Sequence, residues 1–290
     1  MLFVVPLAPG GGLDFAARLI AHDLARRMGQ EVIVENRPGA GGIVGIESAL
    51  NSAADGYTVL VTNDNIVSAP YVLRSGVDYL AQASPVVALT RQPQCLAVHS
   101  SLGVGSVAEL VRLARDGPGL GCATSGVGSN QHVLLEWFNR RAGIRLEHIP
   151  YRGAGQAIND LVAAQVKIAF LAPAALLPHV EAGTLRLLAQ SSADRSGILS
   201  SVPTLQEAGF DGMVLEAWYA AFCPKGTPRE VTRRLNADID KVLAEASIRD
   251  SLRKVATEVI GGSPEALLGF AEAESKKYDK LTSELDLKLR

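Results

Sequence analysis

Three consecutive glycines, Gly10, Gly11 and Gly12, follow Pro9 and precede Leu13, Asp14 and Phe15. A run of this kind, set between a short apolar stretch and a helical pattern, exposes backbone N–H groups at a helix start. There the positive end of the helix dipole favours an anion. Glycine also lets a ligand approach the main chain and tolerates the dihedrals of an anion-binding nest. A phosphate loop would need a lysine and a hydroxyl residue after its last glycine, whereas Leu13 and Asp14 stand there. The acid would repel a phosphate. A second run, Ser125-Gly126-Val127-Gly128-Ser129-Asn130, leads into Gln131 and His132. Two such clusters could clamp a small carboxylate from both sides, although glycine-rich turns also join strands to helices in α/β proteins that bind nothing there.

Other chemistries find little support. Gly39 to Gly45, "GAGGIVG", loosely mimics a dinucleotide fingerprint, but its third glycine comes one residue late. No serine sits in a GxSxG frame. His22, His99, His132, His148 and His179 show no HExxH spacing, and His132 with Glu136 reads as a helix-face pair in a structural or solvent-exposed role. Cys95, Cys122 and Cys223 are far apart and read as buried free thiols. No carboxylate couple is placed for acid–base work. The expectation is therefore a binding protein rather than an enzyme, with no metal and no cofactor. A net charge of −2 and 5% aromatic residues argue against a nucleic-acid partner. No run of about eighteen apolar residues suggests a membrane span.

The elements that must position these loops follow from alternating periods, the pattern of an α/β chain. "LFVVPL" reads as a strand that delivers the first loop, and Leu13 to Met28 as a helix burying Leu13, Ala16, Ala17, Ile20 and Leu24 on one face. "EVIVEN", a helix over 43–50 and "GYTVLVT" follow. A second set comprises a helix over 107–115, strand "LGCAT", helix 131–141, strand "LEHIPY", a helix near 158–162, strand "VKIAFLA", helix 174–182 and strand "LRLLAQ", with "DGPG" at 116–119 as a turn. Two helical stretches, 229–246 and 264–281, close the chain. The repetition suggests two α/β domains facing across a cleft, one of residues 1–100 plus 222–290 and the other of 101–221. The crossings are expected near 100–105 and 220–226.

These residues resemble one family, the extracytoplasmic solute receptors of tripartite tricarboxylate transporters, called the Bug or TctC family. The likeness covers essentially the whole chain. It is carried by "APGGGLDFAARLI" and "GQEVIVENRPGAGGIVG" near the start, then by "GSNQH", "HIPYRGAGQAINDLVAAQV", "LLPHVEAGTLRLLAQSS", "VPTLQEAGF" and "GTPREVTRRLNADI". The resemblance implies a two-domain, type II-like periplasmic binding fold of the Venus-flytrap kind, with mixed sheets and a hinge. It also implies export, with a leader removed ahead of Met1, and a monomer that gives its ligand to a small and a large membrane subunit. The ligand implied is a small carboxylic acid, held by main-chain groups of Pro9 to Phe15 and of Ser125 to His132.

By the same resemblance Asp14 is a capping group at the helix start, and Trp218 is either an aromatic near the cleft or a hinge-side packing residue. Many relatives place Asp or Asn where this chain has Leu171 and Ala172. The missing acceptor argues against an amino-acid ligand and for a carboxylate with an apolar body. Thr62, Asn63 and Asp64, from "TNDN", end a strand that should face the cleft, and an ionised Asp64 would oppose a second ligand carboxylate. Whether the ligand carries one acid group or two stays open. A sensor component that presents its ligand to a signalling protein and, less favoured, a small-acid hydrolase are the alternative readings.

Overall fold

A computed structural model describes residues 1–117 and 119–285 of the chain. Pro118 of the expected 116–119 turn, and residues 286–290 of the expected first domain, lie outside the described residues. The elements run β1 (Leu2–Val5), α1 (Gly12–Met28), β2 (Ile33–Asn36), α2 (Ile43–Leu50), β3 (Thr58–Asn63), α3 (Asn65–Val72) and β4 (Ala83–Gln92). Next come β5 (Cys95–His99), α4 (Val107–Asp116), β6 (Leu120–Thr124), α5 (Asn130–Ala142), β7 (Leu146–Pro150), α6 (Ala154–Val162), β8 (Ile168–Leu171), α7 (Pro173–Glu181) and β9 (Leu185–Gln190). The chain ends with β10 (Ala217–Pro224), α8 (Arg229–Leu243), α9 (Ala246–Arg253), β11 (Glu258–Gly261) and α10 (Pro264–Leu285).

Two compact units result. The first comprises Met1–Arg91, Trp218–Arg253 and Thr257–Glu284, and the second is mainly Gln92–Ala217. The first holds a sheet in the order β11-β4-β10-β3-β1-β2. Here β1 runs parallel to β2 and β3, while β10 is antiparallel to β3 and β11 to β4. The second holds a sheet in the order β7-β6-β8-β5-β9, in which β6 is parallel to β7 and β8, and β5 is antiparallel to β8 and β9.

The expected crossings shift. Residues 95–99 pair with β8 and β9 as β5, so they belong to the second unit rather than to the first. Residues 220–224 lie inside β10, whose eight residues are all buried between β3 and β4. A strand covered on both faces reads as one apolar run, which a local pattern cannot tell from a linker.

Each unit has its own core. In α1, Leu13, Ala16, Ala17, Ile20 and Leu24 are all buried, joined by Phe3, Val59, Val61, Leu235 and Ile239. Burying each of the larger side chains contributes about 1.5–3 kcal/mol, and Gly29 closes the helix in the left-handed conformation. The second core gathers Cys95, Ala123, Leu161, Ala169, Leu171 and Leu176. All three cysteines are free and buried, and burial pushes Cys95 and Cys223 up to about 12. Gly45 of "GAGGIVG" serves packing. A Cβ at Gly45 would stand 2.6 Å from both Arg37 O and Pro6 Cα, so only glycine lets α2 approach the end of β1 this closely.

Candidate functional site

The first glycine loop joins β1 to α1 and ends in a helix start with no side-chain cap. Phe15 N–H donates to Gly11 O at 2.9 Å, the first bond of the helix. The N–H groups of Gly12 and Leu13 precede that bond and have no acceptor among the described residues. Residues 9–12 are exposed, and so is Phe15, while Leu13 is buried in the core.

Asp14 is buried, and its carboxylate is surrounded by donors. Oδ2 accepts the Gly10 N–H at 2.9 Å, Oδ1 accepts Asn36 Nδ2 at 2.9 Å, and Arg18 Nε donates to both oxygens at 3.0 and 3.1 Å. Arg18 and Asn36 also bond each other at 2.8 Å. Burial alone would raise this carboxyl, but the bonds from Arg18, Gly10 and Asn36 outweigh it and hold it below the usual value. The acid that would have repelled an anion is thus neutralised and turned inward, where it steadies Gly10 in its left-handed conformation at φ +85°.

The end of β3 lies beside this loop, because β1 and β3 are parallel neighbours. Thr62 is buried, Asn63 is half-buried, and Asp64 is buried with Oδ2 accepting the Tyr278 hydroxyl of α10. Asp64 is therefore tied to α10 within the first unit. Tyr219 pairs with Asn63, which places the preceding Trp218 at the same edge of the sheet. The Trp218 ring is buried and meets Phe270 edge-on at 5.3 Å. Asn63 Oδ1 and Trp218 Nε1 are buried without a hydrogen-bond partner among the described residues, as are Thr90 Oγ1 in β4 and Gln94 Nε2 in the second unit. Such atoms are uncommon in folded proteins, where water or a ligand often supplies the missing partner.

The second glycine loop joins β6 to α5. Ser129 caps the helix, its Oγ accepting the His132 N–H at 3.2 Å and donating to Gly126 O at 2.7 Å. Gly126 and Gly128 take positive φ, 135° and 79°, which glycine adopts without strain. Gly128 N–H donates to His132 Nδ1 at 3.2 Å, so this nitrogen carries no proton. The His132 ring stacks on His148, with centroids 3.8 Å apart and planes 13° from parallel. Burial pushes His132 down to about 3, with His148 adding to the effect, and burial pushes His148 down to about 4. Both rings are neutral at pH 7. Thr124 Oγ1 bonds His148 Nε2 at 2.7 Å and accepts the Gly126 N–H at 3.2 Å. Asn130 Nδ2 donates to Glu216 O at 3.4 Å, and Val127 is exposed.

Leu171 and Ala172 leave β8 at the same edge of the second sheet as this loop, since β6 and β8 are parallel. Leu171 is fully buried in the core cluster, and Ala172 opens α7. Leu171 thus packs into the core of the second unit. His132 and Glu136 share α5 as expected of a helix-face pair, and His132 also stacks on His148, because β7 lies beside β6 and brings His148 level with Cys122. Gln94, Arg18, Asn36 and His148 were not singled out by sequence as site residues. Only Arg18, four residues after Asp14 on one helix face, carried a local signal.

Among the described residues no group of three or more His, Cys, Asp or Glu could hold a metal ion, and no helix is long and apolar enough to cross a membrane. Residues 16–287 match the family model described as "Tripartite tricarboxylate transporter family receptor". The chain is 33% identical to the protein BugT of Bordetella pertussis, over 99% of this chain and 89% of that one. The solved structure of Rhodopseudomonas palustris Rpa4515 with adipate superposes with a TM-score of 0.93 at 34% identity, over 99% of this chain and 97% of that one. MatC of the same organism, with bound malate, gives 0.88 at 26%, over 97% and 98%.

Proposed function

Because the chain belongs to the tripartite tricarboxylate transporter receptor family, we propose that it captures a small dicarboxylate through backbone donors of its two glycine loops and delivers it to the membrane subunits of such a transporter. The family is one of periplasmic solute-binding receptors, not enzymes. Relatives have been solved with adipate and with malate, both of which carry two acid groups. Pro9 to Phe15 and Ser125 to His132 are the proposed clamps, with Asn63 and Trp218 bordering the first.

The observation that carries this reading is the start of α1. Its exposed loop presents main-chain donors with no acceptor among the described residues, while Asp14, the acid of that helix start, is engaged by Arg18, Asn36 and Gly10. A carboxylate can take these donors, gaining charge-assisted bonds without a buried lysine or arginine.

Isothermal titration and thermal shift with adipate, malate and matched monocarboxylates test the reading. A true ligand at a hundred times its dissociation constant adds about 2.7 kcal/mol to apparent stability. Gly11 has φ −84°, and a Cβ there would meet nothing closer than Ala8 O at 3.9 Å. Gly11→Val therefore keeps the fold and narrows only the approach to the donors, so affinity should fall at least roughly tenfold, the worth of one charge-assisted bond. Unchanged affinity in that variant refutes the backbone clamp.

A further inference from the structure

Within the second unit a chain of side-chain hydrogen bonds ends on a donor with nothing to bond. Ser125 Oγ donates to Gln131 Oε1 at 2.8 Å, and Gln131 Nε2 donates to Gln94 Oε1 at 2.8 Å. Gln94 is fully buried, and its Nε2 has no partner among the described residues. The backbone of Gln94 is fixed on both sides by Ser191: its N–H donates to Ser191 Oγ at 2.9 Å, and its O accepts the Ser191 N–H at 2.9 Å. Leaving a buried donor unmatched costs about 1–3 kcal/mol, which makes this amide a place of unmet bonding rather than packing.

Its location agrees. Cys95, the next residue, pairs with Leu171 at the C-terminal end of β8. Gln94 therefore sits at the edge of the sheet where the parallel strands β6 and β8 end, the edge at which α/β sheets hold their ligands. Gln131 lies in the first turn of α5, where its own N–H has no acceptor among the described residues.

We propose that Gln94 is a ligand-binding residue whose amide donates to an oxygen of the bound carboxylic acid, and that it selects for acceptor groups. The proposal rests on the receptor reading above. The Ser125–Gln131 relay engages the amide oxygen and leaves the NH2 as the unmatched group. A carboxylate oxygen satisfies that NH2, whereas a ligand ammonium, itself only a donor, leaves both unpaired. Leu171, an apolar side chain packed in the core, supplies no acceptor that could compensate.

The test uses Gln94→Met and Gln94→Glu, titrated with adipate and malate, with urea unfolding of the ligand-free proteins alongside. Gln94→Met removes the donor and should weaken binding roughly tenfold or more, the loss of one bond to a charged group. Gln94→Glu still accepts from Gln131 but sets a negative charge where the donor stood, so its affinity should fall further. If the relay only steadies the loop, Gln94→Glu binds close to wild type, and the proposal is overturned. Should either variant fail to fold, the side-chain amide NMR signal of Gln94 in the wild-type protein decides. It should move on saturation with ligand, and a signal that stays put overturns the proposal. Wild-type protein that binds no carboxylate overturns the receptor reading and this inference together, whereas tight wild-type binding with unaltered variants overturns this inference alone.

Discussion

Acidification from pH 7 to pH 5 should destabilise the protein through the stacked pair His132 and His148, and the structure sets the size of the effect. An unperturbed histidine titrates near 6.5, whereas burial holds His132 near 3 and His148 near 4 in the folded state. Between those values and 6.5 the unfolded chain binds protons that the native state refuses, so stability falls as pH falls. Each pH unit below 6.5 costs about 1.4 kcal/mol per ring, or about 2 kcal/mol for His132 at pH 5. The half-buried His148 adds a smaller loss of the same sign. Geometry gives the reason. A protonated His132 would turn an Nδ1–H toward the Gly128 N–H that now donates to it, and would face a second ring 3.8 Å away. Glu136, one turn along α5, is raised by burial and works in the opposite sense, so a difference between variants is the clean measurement. Urea unfolding of wild type and His132→Gln at pH 7 and pH 5 should show the wild type losing about 2 kcal/mol more. A His132 ring proton that titrates near 6.5 by NMR, or equal losses in both proteins, would refute the argument.

Three substitutions probe the scaffold under the loops. Asp14→Ala strips partners from Gly10, Arg18 and Asn36 at once; with Arg18 half exposed, a loss of about 2 kcal/mol in urea unfolding is expected, together with weaker carboxylate binding. Gly45→Ala places a methyl 2.6 Å from two backbone atoms that cannot yield cheaply, and should cost at least about 1–3 kcal/mol by thermal unfolding, although its φ suits alanine. Leu171→Asp puts an unpaired charge into the second core and should reduce the soluble, folded yield before any change in ligand preference can be read, with circular dichroism as the check.

Much of the fold was legible because the period changes are sharp. The face of α1, the β1 and β6 strands and both glycine loops lie where alternation of strand and helix patterns puts them. The strands that went unread share a property. β4, β5, β10 and β11 take part in antiparallel pairings that join distant parts of the chain, as when Tyr219 meets Asn63 or Glu258 meets Arg91. Nothing within a ten-residue window records such a partner. α3 was hidden differently: it begins directly after β3, so "TNDN" reads only as the end of a strand although Asn65 already starts a helix, one that even accommodates Pro70.

The same division between local and distant information runs through the candidate site. Glycine spacing announces that a backbone must come close to something, and a helix start announces which charge it favours. Neither says how an acid can stand in that helix start without spoiling it. For Asp14 the answer comes from Asn36, 22 residues away on β2, and from Arg18 on the next turn, which together convert a repelling charge into an internal brace. The second loop solves its equivalent problem with neutral groups: His132 accepts from Gly128 only while burial and the His148 ring keep it unprotonated. Both loops therefore hold their shape through hydrogen bonds and packing of their own side chains, and at the start of α1 this leaves the Gly12 and Leu13 N–H groups without an acceptor among the described residues. Main-chain donors of this kind respond to charge and to the position of an oxygen rather than to the body of a molecule.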